Sequence, residues 1–231
     1  MKSFDKEHVL GAAGVALFAY GAYQGLFVLP PEKFMSDVGR ILYIHVPTAW
    51  MAMLVATVAC FVAIGSLVRG GEAWDAALEA TVEVAAVSTG MLILQGAIWA
   101  KPTWGVYWDW DPRLTTSAIM LACFAGVLAL RAFVEDPRRR AAWSAVATII
   151  AYADVPIVYF SVKWWRTLHQ SFSNRETVAE TMWNVVFLNW GALMLIATWL
   201  IIQRARLSLL SRPARLDESV APAPSALVAG G

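Results

Sequence analysis

The sequence predicts an all-α polytopic membrane protein with six transmembrane helices and both termini in the cytoplasm. The chain is 59% hydrophobic and only 15% charged, with a mean hydropathy of +0.57, which excludes a disordered or ordinary soluble protein. Six apolar stretches reach the length of about 20 residues that a helix needs to cross a bilayer. They lie near Val9–Leu29, Ile41–Val68, Leu78–Ala100, Leu114–Val134, Ala141–Phe160 and Thr181–Ile202.

The first stretch is predicted to be an uncleaved helix, because it is longer than a signal-peptide core and no small-residue cleavage site follows it. Pro47 and Pro156 are expected to break their helices near the outer face, where neighbouring segments can satisfy the freed backbone groups. Pro137 indicates a tight turn between the fourth and fifth spans. Residues 1–206 are expected to form the transmembrane domain, and residues 207–231 a disordered cytoplasmic tail rich in Pro, Ala and Ser.

The distribution of basic residues sets the expected orientation. Six spans place both termini on one side, and with the N-terminus in the cytoplasm 11 of the 18 Lys and Arg residues are cytoplasmic. The cluster Arg138, Arg139 and Arg140 lies on a very short loop, which the positive-inside rule weighs most strongly. We therefore expect one outer loop at about 101–113 and another at about 161–178.

Several classes of function receive no support from the sequence. A formal net charge of +1 gives no reason to expect nucleic-acid binding. Cys60 and Cys123 lie in separate apolar segments without a CxxC spacing, which is typical of buried thiols. No close grouping of His, Cys and carboxylates suggests a zinc site. No residue resembles a catalytic acid, base or nucleophile, so the protein is not expected to be an enzyme.

Tryptophan is concentrated at the predicted outer face. Eight of the 12 tryptophans fall there, three lie near the inner face and one lies between. An aromatic belt alone would populate both interfaces comparably, so the imbalance favours an aromatic surface for a large planar ligand over a belt. The outer tryptophans are Trp50, Trp99, Trp104, Trp108, Trp110, Trp164, Trp165 and Trp183.

Two histidines reach the same face from positions 124 residues apart. His45 lies about one turn into the second span, where a lone histidine is costly unless it is paired or functional, and His169 lies in an outer loop. Either residue alone is compatible with an ordinary interfacial or surface position. Together with the tryptophans between them, they indicate a haem iron with two axial imidazoles, because the porphyrin supplies the other four nitrogens.

The outer face also offers cations for the two haem propionates. Arg40 and Arg113 are the preferred candidates over Lys163 and Arg166, because arginine binds a carboxylate bidentately and these two lie nearest the other elements. The alternative is that they are interfacial residues that snorkel to water. Asp111, followed by Pro112, has the pattern of an N-cap and first helical residue for the fourth span, so it is expected to aim the loop.

The segment Trp104-Gly105-x-x-Trp108-x-Trp110-Asp111 resembles the WGxxWxWD signature of the haem-handling membrane proteins of cytochrome c maturation. Further segments, in the expected order between about residues 40 and 190, resemble the smallest family of this group, haem exporter protein C (also called cytochrome c maturation protein C). Tyr107 and Asp109 depart from the pattern, which commonly has a tryptophan and an apolar residue there. The further segments are 43–47, 110–115 and 161–170.

The resemblance implies that haem b binds at the periplasmic face of the bacterial inner membrane, with His45 and His169 as axial ligands. It implies delivery to a periplasmic haem chaperone that takes the haem covalently through its own histidine. It also implies an ABC-type complex with an ATPase, a second permease-like subunit and a small single-span membrane protein. The residues expected around the haem are Trp104, Gly105, Trp108, Trp110, Asp111, Arg40, Arg113, Trp164 and Trp165.

The main alternative is a bis-histidine membrane cytochrome that exchanges electrons with a quinol. Such proteins usually bury their paired histidines within the bilayer. Here His45 is predicted to lie just below the outer surface and His169 outside the membrane, which favours a haem that can be removed. A substrate-conducting permease would need a polar pathway across the bilayer, and only Glu83, Gln95 and Asp154 are available to line one.

Overall fold

Helices account for nearly all regular structure in the part of the chain that the structure describes. The computed structural model describes residues 6–31, 35–169 and 180–220, with side chains from 7 to 212. Six helical segments within these ranges are long and apolar enough to cross a membrane. The predicted all-α, six-span fold is therefore confirmed, and the chain is a multi-pass membrane protein. The cytoplasmic placement of both termini stays a prediction.

In the described part of the chain, seven α-helices build the six spans, because the fifth span is divided between two of them. A π-helical turn, Gln24–Val28, extends the first helix, and a 3-10 turn, Asp37–Ile41, leads into the second. The α-helices are α1 Lys6–Tyr23, α2 Leu42–Arg69, α3 Glu72–Trp104, α4 Pro112–Phe133, α5 Pro137–Tyr152, α6 Asp154–Trp164 and α7 Glu180–Val220.

Helices α2 and α3 pack along each other at the centre of the bundle. Helix α7 lies against both of them and against α1, whereas α4, α5 and α6 close the other side. The shared core contains many small side chains, including Ala56, Ala59, Ala63 and Ala85. Small residues let helix backbones approach closely, which is how helices associate without a hydrophobic driving force between them.

Pro47 lies inside α2 without ending it, so the break predicted there is wrong. A proline has no N–H for the carbonyl four residues earlier, which here belongs to Tyr43. Asn189 on α7 is fully buried and donates through Nδ2 to that carbonyl oxygen at 2.7 Å. The expected compensation by a neighbouring helix is therefore present, and it joins α2 to α7.

The break predicted near Pro156 is confirmed. Helix α5 ends at Tyr152, whose carbonyl Pro156 has no N–H to satisfy, and α6 begins at Asp154. The backbone tightens at this junction, where the Ala153 N–H donates to the carbonyl of Ile150 at 3.1 Å. The fifth span therefore reaches the outer end of the bundle as a separate short helix that carries the loop with His169.

The last helix runs further than the sequence predicts. Helix α7 continues to Val220, through part of the segment expected to be a disordered tail from residue 207. Two contacts hold this extension against α3: Arg212 Nη2 binds Asp75 Oδ2 at 2.8 Å, and Ser208 Oγ donates to Glu79 Oε2 at 2.5 Å. Residues 221–231 lie outside the described part, and their expected disorder stays a prediction.

Asp75 and Arg131 form a buried ion pair between α3 and α4. Arg131 Nη1 lies 2.7 Å from Asp75 Oδ1, and the two side chains are only 5% and 6% exposed. Arg131 also reaches Glu79 at 3.4 Å. Buried charges persist only when they are paired, so this pair fixes the lateral position of α4 at the end of the bundle far from the tryptophan-rich loop.

Candidate functional site

A cleft opens at the end of the bundle where α3 ends and α4 begins. Its walls come from α2, α3, α4, α6 and α7 and from the loop after α6, and it encloses about 1520 Å³ of space including its open mouth. Most of the lining is apolar. The imidazole, guanidinium and indole groups in the lining belong to His45, His169, Arg113, Trp50, Trp99, Trp104, Trp108 and Trp183.

His45 projects into the cleft from the start of α2 and is 7% exposed. The ring of Trp99 on α3 meets the imidazole edge-on, with ring centroids 5.5 Å apart. His45 Nδ1 is buried and has no hydrogen-bond partner among the described residues. Native structures rarely leave a buried polar atom unpaired, so this imidazole has a nitrogen available to a group bound in the cleft.

Gly96 allows α3 to approach the ring of His45. A Cβ atom at this position would lie 3.2 Å from His45 Cε1 and 4.0 Å from Nε2. The imidazole therefore occupies the space that a larger residue on α3 would fill. The orientation of His45 is set by the absence of a side chain at Gly96 on one side and by the indole of Trp99 on another.

We predict that Gly96→Ala is destabilising relative to Gly90→Ala in the same helix. Both changes gain helix propensity, but a Cβ at Gly90 meets nothing within 4 Å, whereas a Cβ at Gly96 presses on His45. Overpacking costs about 1–3 kcal/mol, and we expect the lower end of that range because the ring can shift slightly. Chemical unfolding in detergent micelles measures the difference, and equal stability of the two variants would contradict it.

His169 lies in the cleft because its loop is tied to the start of α4. The backbone N–H of Leu168 donates to Asp111 Oδ2 at 2.7 Å, and the N–H of Arg113 donates to Asp111 Oδ1 at 2.9 Å. Asp111 is 5% exposed. The prediction that Asp111 caps α4 is confirmed. The sequence did not reveal that the same carboxylate also holds the residue next to His169.

The tryptophan-rich loop begins with a left-handed turn at Gly105. Gly105 ends α3 with a φ of 81°, a conformation that a residue with a Cβ adopts only at a cost. Lys101 Nζ donates to the Gly105 carbonyl at 2.9 Å and lies 5.3 Å from the centre of the Tyr107 ring. The turn reverses the chain just after Trp104, so that Trp108 comes back over the cleft.

The three tryptophans of the loop have different positions. Trp104 and Trp108 are half-buried and line the cleft, and Trp104 meets His169 edge-on with ring centroids 6.4 Å apart. Trp110 is 77% exposed and does not line the cleft. It packs edge-on against Trp108 at 5.8 Å. Two of the three therefore face the interior of the site, and the third presents its ring outward.

The two preferred arginines are also placed differently. Arg113 lines the cleft at the first turn of α4. Arg40 is occupied by the fold: its Nε binds Asp37 at 2.7 Å, and its Nη1 donates to the carbonyls of Gly25 and Leu29 at 3.1 and 2.7 Å. Arg40 does not line the cleft. The geometry therefore favours Arg113 as the group that meets an anionic ligand.

Trp164 and Trp165 lie at the end of α6 outside the cleft lining. They are 57% and 49% exposed. Trp164 stacks on Phe160, with ring centroids 5.3 Å apart and planes inclined by 24°. Their predicted contact with a ligand stays a prediction, and their position beside the His169 loop suits a contact made from outside.

Three tryptophans that the sequence did not assign to the site line the cleft: Trp50, Trp99 and Trp183. The rings of Trp50 and Trp183 are nearly parallel, with centroids 6.0 Å apart and planes inclined by 8°. All three belong to the group of outer-face tryptophans. No local sequence pattern distinguishes a ring that faces a cleft from a ring that anchors a helix in lipid, so the sequence could not assign these three tryptophans to the site.

The arrangement combines nitrogen ligands, a cation and flat indole faces in one cleft. Among the described residues, no group of three or more His, Cys, Asp or Glu is placed to hold a metal ion. Two imidazoles do not complete the coordination of a bare metal ion, but they suffice for an iron whose equatorial positions are filled by a porphyrin. The donor set therefore fits a haem, with Arg113 available to a propionate.

The family model that matches this chain and three of its curated relatives carry the same description. Residues 4–219 match the family model described as "Heme exporter protein C". A heme exporter protein C from Bradyrhizobium diazoefficiens is 40% identical over 165 residues, which is 71% of this chain and 62% of that relative. The chain thus aligns with less than two thirds of this relative's length.

Two other relatives align over more of their length. A heme exporter protein C from Haemophilus influenzae is 32% identical over 205 residues, covering 87% of this chain and 83% of the relative. The protein of the same name from Escherichia coli is 31% identical over 213 residues, covering 89% and 85%.

Proposed function

The chain belongs to the haem exporter protein C family, and from that membership we propose that it binds haem b at the periplasmic face of the bacterial inner membrane. We propose that it presents this haem to a periplasmic haem chaperone during cytochrome c maturation. Haem is the cargo in this proposal, so a good site must hold the iron and also release it.

One observation carries the proposal: His45 and His169 line the same cleft although 124 residues separate them in sequence. We assign them as the two axial ligands. The indole rings of Trp104 and Trp108 then flank the porphyrin, and Arg113 binds a propionate through a charge-assisted hydrogen bond. Because iron takes imidazole nitrogen well, no further protein ligand is needed.

The position of the site suits release. His169 is carried by a loop outside the helices, and the cleft that it lines is partly open. The exposed rings of Trp110, Trp164 and Trp165 would form the surface that a chaperone meets. Asp109, which is also exposed, would face that partner or water.

The proposed complex follows from the family and its resemblance to cytochrome c maturation proteins. We propose that the chain works with an ABC ATPase, a second permease-like subunit and a small single-span membrane protein. In this scheme ATP hydrolysis frees the loaded chaperone, and the present chain supplies the haem-binding surface. Its transmembrane faces would contact lipid and the other membrane subunits.

Co-expression with the haem chaperone tests the proposal. We expect the chaperone to acquire haem that stays attached on a denaturing gel, and we expect His169→Ala in this chain to abolish that signal. A membrane cytochrome would instead exchange electrons rapidly with a quinol and leave the chaperone without covalent haem. Finding quinol-linked redox exchange without covalent transfer would replace the proposal with that alternative.

We predict that Trp108→Ala and Trp110→Ala separate haem binding from haem transfer. Trp108 lines the cleft, so its loss should reduce the haem that copurifies with the protein about fivefold, in line with an aromatic contact worth about 1 kcal/mol. Trp110 is exposed outside the cleft, so its loss should leave haem content unchanged and lower only chaperone loading. Loss of haem from Trp110→Ala would contradict the assignment of Trp110 to haem transfer alone.

A further inference from the structure

A second cavity lies at the opposite end of the bundle from the His45 cleft. Helices α3, α4 and α7 and the first turn of α5 surround it, and it contains about 1240 Å³ of space including its mouth. Along α3, its residue Glu83 is 16 positions from Trp99, or about 24 Å at 1.5 Å per residue. The cavity is therefore separate from the proposed haem site.

Charged side chains dominate the lining of this cavity. Four arginines and two glutamates face it, namely Arg131, Arg140, Arg204, Arg212, Glu79 and Glu83. Arg204 binds Glu83 through two hydrogen bonds of 2.5 and 2.6 Å. Arg131 and Arg212 both bind Asp75 behind the lining, and Arg131 also reaches Glu79.

Arg140 remains outside this pairing. Its Nε is buried and has no hydrogen-bond partner, and no ion pair joins its guanidinium to a carboxylate within the described residues. Among the described side chains, the three carboxylates (Asp75, Glu79 and Glu83) are matched by three of the four arginines, which leaves an excess of one positive charge at the cavity. The Arg140 side chain is only partly buried, but its Nε atom is buried without a partner, which is unfavourable, and this favours a bound anion at Arg140.

We propose that this cavity binds the singly charged phosphate of an anionic phospholipid headgroup, with Arg140 as its principal contact. One negative charge balances the excess, and a guanidinium binds phosphate oxygens bidentately. Apolar residues of the lining, Leu128 and Leu207, offer a surface for the start of an acyl chain. Basic pockets between transmembrane helices on the cytoplasmic side are typical sites for such headgroups.

The position of Arg140 fits a lipid better than a soluble anion. It lies in the first turn of α5, beside the short loop that the basic cluster predicts to face the cytoplasm. Anionic lipids are concentrated at that surface, and the neighbouring Phe133 at the end of α4 is 83% exposed, as expected for a ring in lipid. The bound headgroup would join α4, α5 and α7 at their inner ends.

Native mass spectrometry of the full-length protein tests the proposal, with phosphatidylglycerol and phosphatidylcholine added separately. Arg140→Gln removes the unpaired charge, and Arg139→Gln is the matched control, because it makes the same charge change one residue away on an exposed side chain. Loss of a charge-assisted contact should weaken phosphatidylglycerol binding about tenfold or more in Arg140→Gln. Arg139→Gln should bind like the unmodified chain, and phosphatidylcholine should bind weakly to all three.

Two results would overturn the inference. Equal phosphatidylglycerol binding by Arg140→Gln and Arg139→Gln would remove Arg140 as the contact. Complete displacement of the lipid by an excess of inorganic phosphate would show that the site takes free phosphate. The thermal unfolding temperature of Arg140→Gln, measured without lipid, is the control for folding. We expect it to match that of the unmodified chain, because Arg140 is not part of the Asp75–Arg131 pair.

Discussion

Asp111→Asn is expected to lower the haem content of the purified protein about tenfold while α4 remains capped. Asparagine is as good an N-cap as aspartate, so its Oδ1 can still accept the N–H of Arg113. Its Nδ2 group, however, would face the N–H of Leu168, which now donates to Asp111 Oδ2 at 2.7 Å. Two donors cannot pair, so the loop that carries His169 loses its attachment.

The size of this effect follows from the hydrogen bond that is lost. A bond to a charged group contributes about 1.5–3 kcal/mol, and a loop that spends less time in position lowers the apparent affinity by the same factor. Asp136→Asn is the matched control, because Asp136 caps α5 through the N–H of Arg139 at 2.7 Å and lies at the opposite end of the fold. Haem absorbance per protein, with circular dichroism for helix content, measures the outcome.

The role of the Asp111 tether would be refuted by equal haem content in Asp111→Asn and Asp136→Asn. A loss of helix content in Asp111→Asn would show instead that the variant acts through the cap of α4.

Arg131→Met is expected to reduce the free energy of unfolding by about 3 kcal/mol. Breaking a buried ion pair leaves a buried charge without its partner, which costs about 3–5 kcal/mol, and the lower value applies because Arg212 still binds Asp75. Arg138→Met is the matched control, because that side chain is exposed in the first turn of α5. Unfolding by denaturant in lipid–detergent bicelles gives both values.

A double variant separates the pair from its surroundings. Asp75→Asn combined with Arg131→Met removes both charges, so it should be less destabilised than the sum of the two single variants. Additive single effects would show that the two side chains do not depend on each other. In that case α4 would be positioned by apolar packing alone.

The sequence was sufficient to predict the six spans and the helix cap beside the site. Hydropathy and length located all six helical segments, because a bilayer imposes both on every spanning helix. Asp111 and Pro112 marked the start of α4 correctly, because capping depends on adjacent residues. The sequence also singled out His45 and His169, because few residue types bind iron and both lie near predicted outer ends; the two line one cleft, and their role as iron ligands stays a prediction.

Long-range contacts explain what the sequence did not give. The Asp111–Leu168 bond spans 57 residues and the Asn189–Tyr43 bond spans 146, and no local pattern encodes such pairings. The direction of a side chain at a helix end depends on the same packing. Arg40 therefore binds the end of the first span instead of facing the cleft, and Trp110 faces outward.

The length of α7 shows a similar limit. Its residues beyond 207 are less hydrophobic than the span, so composition suggested a disordered tail. The helix continues because Arg212 and Ser208 find acidic partners on α3. These partners lie more than 120 residues earlier in the chain, where only the folded arrangement brings them within reach.

The low-temperature electron paramagnetic resonance spectrum of the purified, oxidised protein with haem bound tests the coordination most directly. Two imidazoles on one iron predict a low-spin six-coordinate signal in the unmodified chain, and loss of that signal in both His45→Ala and His169→Ala. A high-spin signal in the unmodified chain, or a low-spin signal that survives in either variant, would contradict the assignment of these residues to the iron.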